Sequence, residues 1–173
     1  SIVPVVACSA TTGVGIAKML DVMNVYLHSP KSAKAVGENP KTGGAEERPC
    51  DNAAPFSAFV YKTIADPFVG KLSLFRVCSG SITSATALYN ANADKAEKAG
   101  GLFMMRGKKQ TPANQLNAGD LGALSKLQFT NSGDTLCDAA HPIRFAPIAF
   151  PIPCISKAIS AAKQGEEDKV FSG

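Results

Sequence analysis

Asp66-Pro67-Phe68-Val69-Gly70-Lys71-Leu72-Ser73-Leu74-Phe75-Arg76-Val77-Cys78-Ser79-Gly80 is the stretch that decides the fold. Pro67 fixes its own φ and steers Asp66 away from helix. Gly70 admits positive φ at little steric cost. These residues predict a turn, and Lys71–Cys78 after them reads as a strand closed by Gly80. The alternation Lys71, Leu72, Ser73, Leu74 slips phase at Phe75. A slip of that kind predicts a bulge, or a strand buried on both faces near one end. Upstream, Phe56–Ala65 is a second candidate strand, and Asp66–Gly70 joins the two as a hairpin.

Working outward, the β pattern continues. Further candidate strands are Thr86–Asn90, Gly101–Arg106, Asp120–Leu127 and a short Thr135–Cys137, punctuated by Gly, Asn, Asp and Ser. The charged, Ala-rich Asp94–Lys98 reads as a hairpin tip. Several short strands with turn signals between them predict a barrel or sandwich. On the N-terminal side, Ile2–Cys8 is an apolar run suited to a buried strand, and Ser9–Gly13 a turn. From Gly15 to Leu27 the positions Ile16, Met19, Leu20, Met23, Tyr26 and Leu27 repeat at helical spacing. Ser29–Asn52 mixes Pro and Gly with Lys and Glu and has little to bury, so an irregular linker is expected. After Pro153, Cys154–Ile159 reads as a strand and Glu166–Phe171 as the start of a helix.

Composition excludes several classes. The chain has 173 residues, 45% hydrophobic and 18% charged, which is ordinary for a globular core. Cys8, Cys50, Cys78, Cys137 and Cys154 are widely spaced and form no CxxC, and His28 and His141 lie far apart. Neither a zinc site nor a secreted disulfide framework is expected, and reduced cytoplasmic thiols are. No apolar run approaches the ~20 residues of a membrane span, and no signal peptide is visible. The net charge is +4, and ten cations against six anions between Ala53 and Phe150 account for all of it.

The motifs of catalysis are missing. There is no GxxxxGK[ST] phosphate loop, and in Gly13-Val14-Gly15 a dinucleotide fingerprint fails because Lys18 stands where a third Gly belongs. Neither histidine has the setting of a nucleophilic triad. No catalytic residue and no metal ligand are assigned. Arg106-Gly107-Lys108-Lys109 is the densest basic cluster. Lys and Arg on a strand end or loop suit phosphate contacts, and equally suit a solvated hairpin end. Only Phe103 lies close by, so stacking on single-stranded bases is not suggested.

Several motifs recur in a known order. Asp66-Pro67-Phe68-Val69-Gly70-Lys71-Leu72 with Phe75-Arg76-Val77 comes first, then Ala118-Gly119-Asp120-Leu121. Ser132-Gly133-Asp134-Thr135-Leu136-Cys137-Asp138 and Phe150-Pro151-Ile152-Pro153 follow. This series resembles elongation factor G-type translational GTPases, centred on their second domain. Cys8-Ser9-Ala10 is similar to the last guanine-contacting motif of such GTPases, although Thr11 and Thr12 depart from it. At Arg106–Pro112 the chain also departs from the His-Ala-Asn segment of housekeeping members, as a divergent paralogue would.

The resemblance implies a mainly β fold, a small closed antiparallel barrel of the translation-factor domain II type. It implies residues 1–28 as a strand–helix remnant of the GTPase domain, 29–53 as linker, 54–150 as the barrel and 151–173 as the start of a third domain. It further implies a non-catalytic segment, with GTP and Mg expected only for the parent and Ser9 and Ala10 as its inactive guanine remnant. The implied partners are the parent's own GTPase domain and, on the ribosome, small-subunit RNA. Arg106, Lys108, Lys109, Lys71 and Arg76 are the candidate RNA contacts. A cytoplasmic monomer is expected, with no DNA or membrane partner. The alternative is an OB-like or small-molecule-binding barrel unrelated to the ribosome, which a deep apolar pocket would favour.

Overall fold

The structure, a computed structural model, describes residues 3–66, 70–163 and 165. It is mainly β. Among the described residues one helix, α1 (Ile16–Tyr26), and a 3-10 turn (Pro30–Ser32) precede thirteen strands. The first strands are β1 (Lys34–Glu38), β2 (Ala45–Pro49), β3 (Ser57–Asp66), β4 (Gly70–Ser79), β5 (Ser81–Thr83), β6 (Leu88–Asn90) and β7 (Lys95–Glu97). Then come β8 (Gly101–Arg106), β9 (Lys109–Pro112), β10 (Gln115–Asn117), β11 (Leu121–Ser125), β12 (Thr135–Cys137) and β13 (Arg144–Phe145).

The antiparallel pair β3–β4 is the spine, running from Ser57↔Ser79 to Asp66↔Gly70. Gly70 takes φ 77°, as the turn reading requires; residues 67–69 lie outside the described residues. The phase slip has two physical sources. The register shifts between Val60 and Lys62, so Tyr61 is an extra residue opposite the Phe75 neighbourhood. It shifts again beside Ser57, leaving Cys78 extra, and Val77, Cys78 and Ser79 are all buried. Bulges of this kind coil a sheet. The coiled sheet has the order β7-β6-β12-β3-β4-β11-β8-β9. Phe75 and Val77 pack with Val60, Leu124 and Leu136 inside it, each fully buried.

The sheet does not close by a ladder, and in this the expected closed barrel is corrected: among the described residues β7 and β9 remain edges. Lys98–Gly100 interrupts the chain between β7 and β8, and β8 already has β11 and β9 as neighbours. Closure is made by side chains and turns instead. The buried Glu97 of β7 accepts hydrogen bonds from the amides of Gln128 (3.0 Å) and Phe129 (2.7 Å) and from Thr130 Oγ1 (2.8 Å). The Gly100 amide reaches the Ser125 carbonyl at 2.8 Å. On the other edge, Gln110 Nε2 of β9 donates to Asp66 Oδ2 at 2.8 Å.

A second, three-stranded sheet, β13-β1-β2, covers the outer face of β3 and β4. It corrects the expectation of an irregular Ser29–Asn52. Gly43 and Gly44 belong to a hairpin turn, closed by Asn39 N to Gly44 O (2.8 Å) and Gly43 N to Asn39 O (2.8 Å). Arg48 is buried, and its guanidinium donates to Glu46 Oε1 (2.7 Å) and the His141 carbonyl (2.8 Å). Phe145 meets Phe59 edge-on, with centroids 6.5 Å apart.

The apolar runs at either end are corrected too. Neither the described part of Ile2–Cys8 nor Cys154–Ile159 is a strand. A strand needs a ladder partner for its amides and carbonyls, and these runs have none among the described residues. Glu166–Phe171 lies outside the described residues. The helix between Gly15 and Leu27 forms as the spacing requires, but no residue of it is buried.

Candidate nucleic-acid interface

The basic cluster occupies the tip of a tight hairpin. Arg106, the last residue of β8, pairs with Lys109, the first of β9. Gly107 and Lys108 form the two-residue loop, with Gly107 at φ 59°. A glycine at the first central position is the signature of a type II′ turn, whose twist matches that of the strands. Arg106, Lys108 and Lys109 are all exposed. Arg106 and Lys109 are a directly opposed cross-strand pair, so their side chains leave the same face of the ribbon. Like charges so placed repel. Among the described residues none of the three forms an ion pair. The arrangement presents three cations to solvent at one hairpin tip.

Lys71 and Arg76 do not share a face. Both lie on β4, at an odd interval along a strand whose side chains alternate, so they emerge on opposite sides. Lys71 is half-buried, pairs with Ala65 and donates from Nζ to Asn131 Oδ1 at 3.3 Å. Arg76 is exposed between Phe59 and Leu121, and lines a groove of about 500 Å³ with Val36, Tyr61 and Ala146. Sequence reading missed Lys126, whose amide donates to the Lys71 carbonyl at 3.2 Å. Nothing in the sequence marks it, since only the pairing of β11 with β4 brings it beside Lys71.

Ser9 and Ala10 sit in a separate turn before α1. The Ser9 amide donates to the Val14 carbonyl and the Gly13 amide to the Ser9 carbonyl, each at 2.9 Å. Ser9 Oγ lies 3.2 Å from Thr11 Oγ1 and 3.4 Å from the Thr12 amide. The turn is built tightly, since a Cβ on Gly15 would stand 2.6 Å from the Ala7 carbonyl oxygen.

Titratable groups elsewhere are structural in setting. Burial pushes the Cys78 thiol up, against the pull of the Arg76 cation, and burial raises Cys137 likewise. The Ala140 amide, with His141 beside it, holds the Asp138 carboxyl below its usual range. Among the described residues no group of three or more His, Cys, Asp and Glu could hold a metal. Among the same residues no helix is long and apolar enough to cross a membrane.

Comparison with known proteins adds to this geometry. The family described as elongation factor G domain 2 matches residues 55–139. The chain is 39% identical over 170 residues to "Elongation factor G" of Karelsulcia muelleri (strain GWSS). That alignment takes in 98% of this chain and 24% of the relative, so the chain spans about a quarter of the curated protein it matches.

Proposed function

This chain belongs to the elongation factor G family, over the stretch that carries its domain 2, and from that premise we propose that it works as the non-catalytic second-domain segment of a translational GTPase. In this reading residues 54–150 are the domain, with 29–53 leading into it. Residues 1–28 are the end of the GTPase domain and 151–173 the start of a third. GTP and Mg bind elsewhere in the parent, and Ser9 and Ala10 contribute only as part of that larger site. The segment packs on the GTPase domain and touches small-subunit ribosomal RNA in the cytoplasm, as a monomer.

One observation carries the RNA reading, the β8–β9 tip, where Arg106, Lys108 and Lys109 crowd together exposed and, among the described residues, without ion pairs. A stiff two-residue hairpin with cations at its end suits phosphodiester contacts, which are electrostatic and independent of sequence. Such contacts give a log–log salt slope of about −0.9 per phosphate on duplexes, so three give on the order of −2 to −3. The test is binding of the chain to isolated small ribosomal subunits and to a duplex RNA fragment across a salt series. Lys108→Ala and Lys109→Ala should each weaken binding and lower the slope magnitude by about 1. If neither changes affinity or slope, the hairpin tip is a solvated end and the RNA assignment falls there.

A further inference from the structure

Lys126 and Asp94 are the side-chain-bearing residues at positive φ among the described residues, at 63° and 54°. Aspartate tolerates that conformation, whereas lysine has no local hydrogen bond to favour it. The kink has a structural reason. It carries the chain from the buried Ser125 to the buried Leu127 while Lys126 stays exposed. The backbone itself does not call for lysine, since Gly or Asn would adopt it more easily.

Its surroundings fix where that lysine stands. The Lys126 amide donates to the Lys71 carbonyl, immediately beyond the ladder pair Ser125↔Leu72. Lys126 therefore follows the ladder directly, and its backbone lies beside that of Lys71 at the end of β4. Among the described residues neither is in an ion pair. Lys71 Nζ is held by the neutral Asn131 Oδ1. On the other flank the Lys126 stem lies over Gly100, where a Cβ would come within 2.7 Å of Lys126 Cδ and 3.1 Å of its Cβ. Backbone kink and glycine floor together set the Lys126 stem against Gly100.

We infer that Lys126 and Lys71 form a second phosphate-binding point, which takes the phosphodiester backbone of the same RNA. This rests on the reading of the segment as an RNA-contacting domain. It adds a contact on the β4–β11 side to those of the hairpin. Asp66, at the end of β3, is bonded to Gln110 of β9, so the end of the β3–β4 pair lies against the strand that Lys109 begins.

The test uses the full chain with small ribosomal subunits and duplex RNA over a salt series. Lys126→Gly is the informative variant, because glycine suits the left-handed backbone and keeps the fold while deleting the charge. It should lower the slope magnitude by about 1, and Lys126→Arg should bind as the parent chain does. A thermal midpoint no lower than that of the parent chain is the folding control. If Lys126→Gly leaves affinity and slope unchanged while Lys108→Ala and Lys109→Ala lower both, this inference alone is overturned. If the unmodified chain binds neither probe, both readings are overturned.

Discussion

Helix α1 and strand β4 are close in length, 11 residues against 10, and both carry an apolar pattern. Their fates differ. On β4, Leu72, Phe75 and Val77 are 0% exposed, whereas Leu20, Met23 and Tyr26 of α1 stand 55%, 45% and 64% exposed. The difference lies in partners. β4 is flanked by β3 and β11 and roofed by the second sheet, so each inward side chain meets another. Among the described residues the face of α1 lies against its own lead-in, where Met19, Met23 and Tyr26 stand beside Pro4 and Val6. Periodicity names the face to be buried, and a second surface has to bury it. A helix this short is marginal alone, since isolated helices below ~12–15 residues barely form in water.

The largest expected consequence is in thiol chemistry. Cys8 and Cys154 are exposed, whereas Cys78 and Cys137 are buried within the β region. Alkylation requires thiolate, and burial raises both inner thiols, so less thiolate exists at pH 8. They should also react only through opening of the fold, which at a stability of ~5 kcal/mol makes them at least ~10³-fold slower. Iodoacetamide labelling followed by peptide mass spectrometry checks this. Labelling of Cys78 at the rate of Cys8 would mean that the two regions are equally open.

Next in size is a pair of truncations. Phe75→Ala should cost about 3–5 kcal/mol, because it leaves a void among fully buried neighbours. Met23→Ala should stay within ~0.5 kcal/mol, as an exposed position away from any packed feature does. Denaturant midpoints of the two variants measure the contrast directly. A Met23→Ala shift that approaches the Phe75→Ala shift would place α1 inside the cooperative core.

That contrast also explains what the sequence could tell. Gly101–Arg106 and Thr135–Cys137 were legible to the residue, because a turn signal bounds each. β5, β7 and β10 were not, since each exists only by its pairing, and the charged β7 read as a hairpin tip. β1 and β2 were hidden by their own turn, whose Gly43 and Gly44 read as linker. The outer apolar runs misled in the opposite sense, for hydrophobicity without a ladder partner makes no strand. At the candidate interface, Arg106, Lys108 and Lys109 were visible because they are neighbours in sequence. Lys126 was not, because antiparallel pairing alone brings it to Lys71.

The finest contrast uses the same defect in both regions. Gly15 and Gly80 have almost the same surroundings. Each has φ in the left-handed region, 78° and 70°, and a Cβ at either would strike backbone. At Gly15 the obstacle is the Ala7 carbonyl oxygen at 2.6 Å; at Gly80 it is the Ala54 carbonyl oxygen and Phe56 Cα, both at 2.7 Å. Alanine in that conformation costs ~1–2 kcal/mol before any clash is counted. Gly80→Ala acts on the turn that leaves β4, where the Gly80 amide also bonds the Asp51 carbonyl at 2.8 Å. The cost should therefore appear in the cooperative transition, as a lowered denaturant midpoint. Gly15→Ala acts on the N-cap of a helix without a buried residue. It should leave that midpoint where it is and reduce only the helical circular dichroism of the folded chain. The local penalty is the same, so the size of the midpoint shift reports coupling to the β core and nothing else. Equal shifts for the two variants would show that α1 unfolds together with the sheets, and the division drawn between the regions would be wrong.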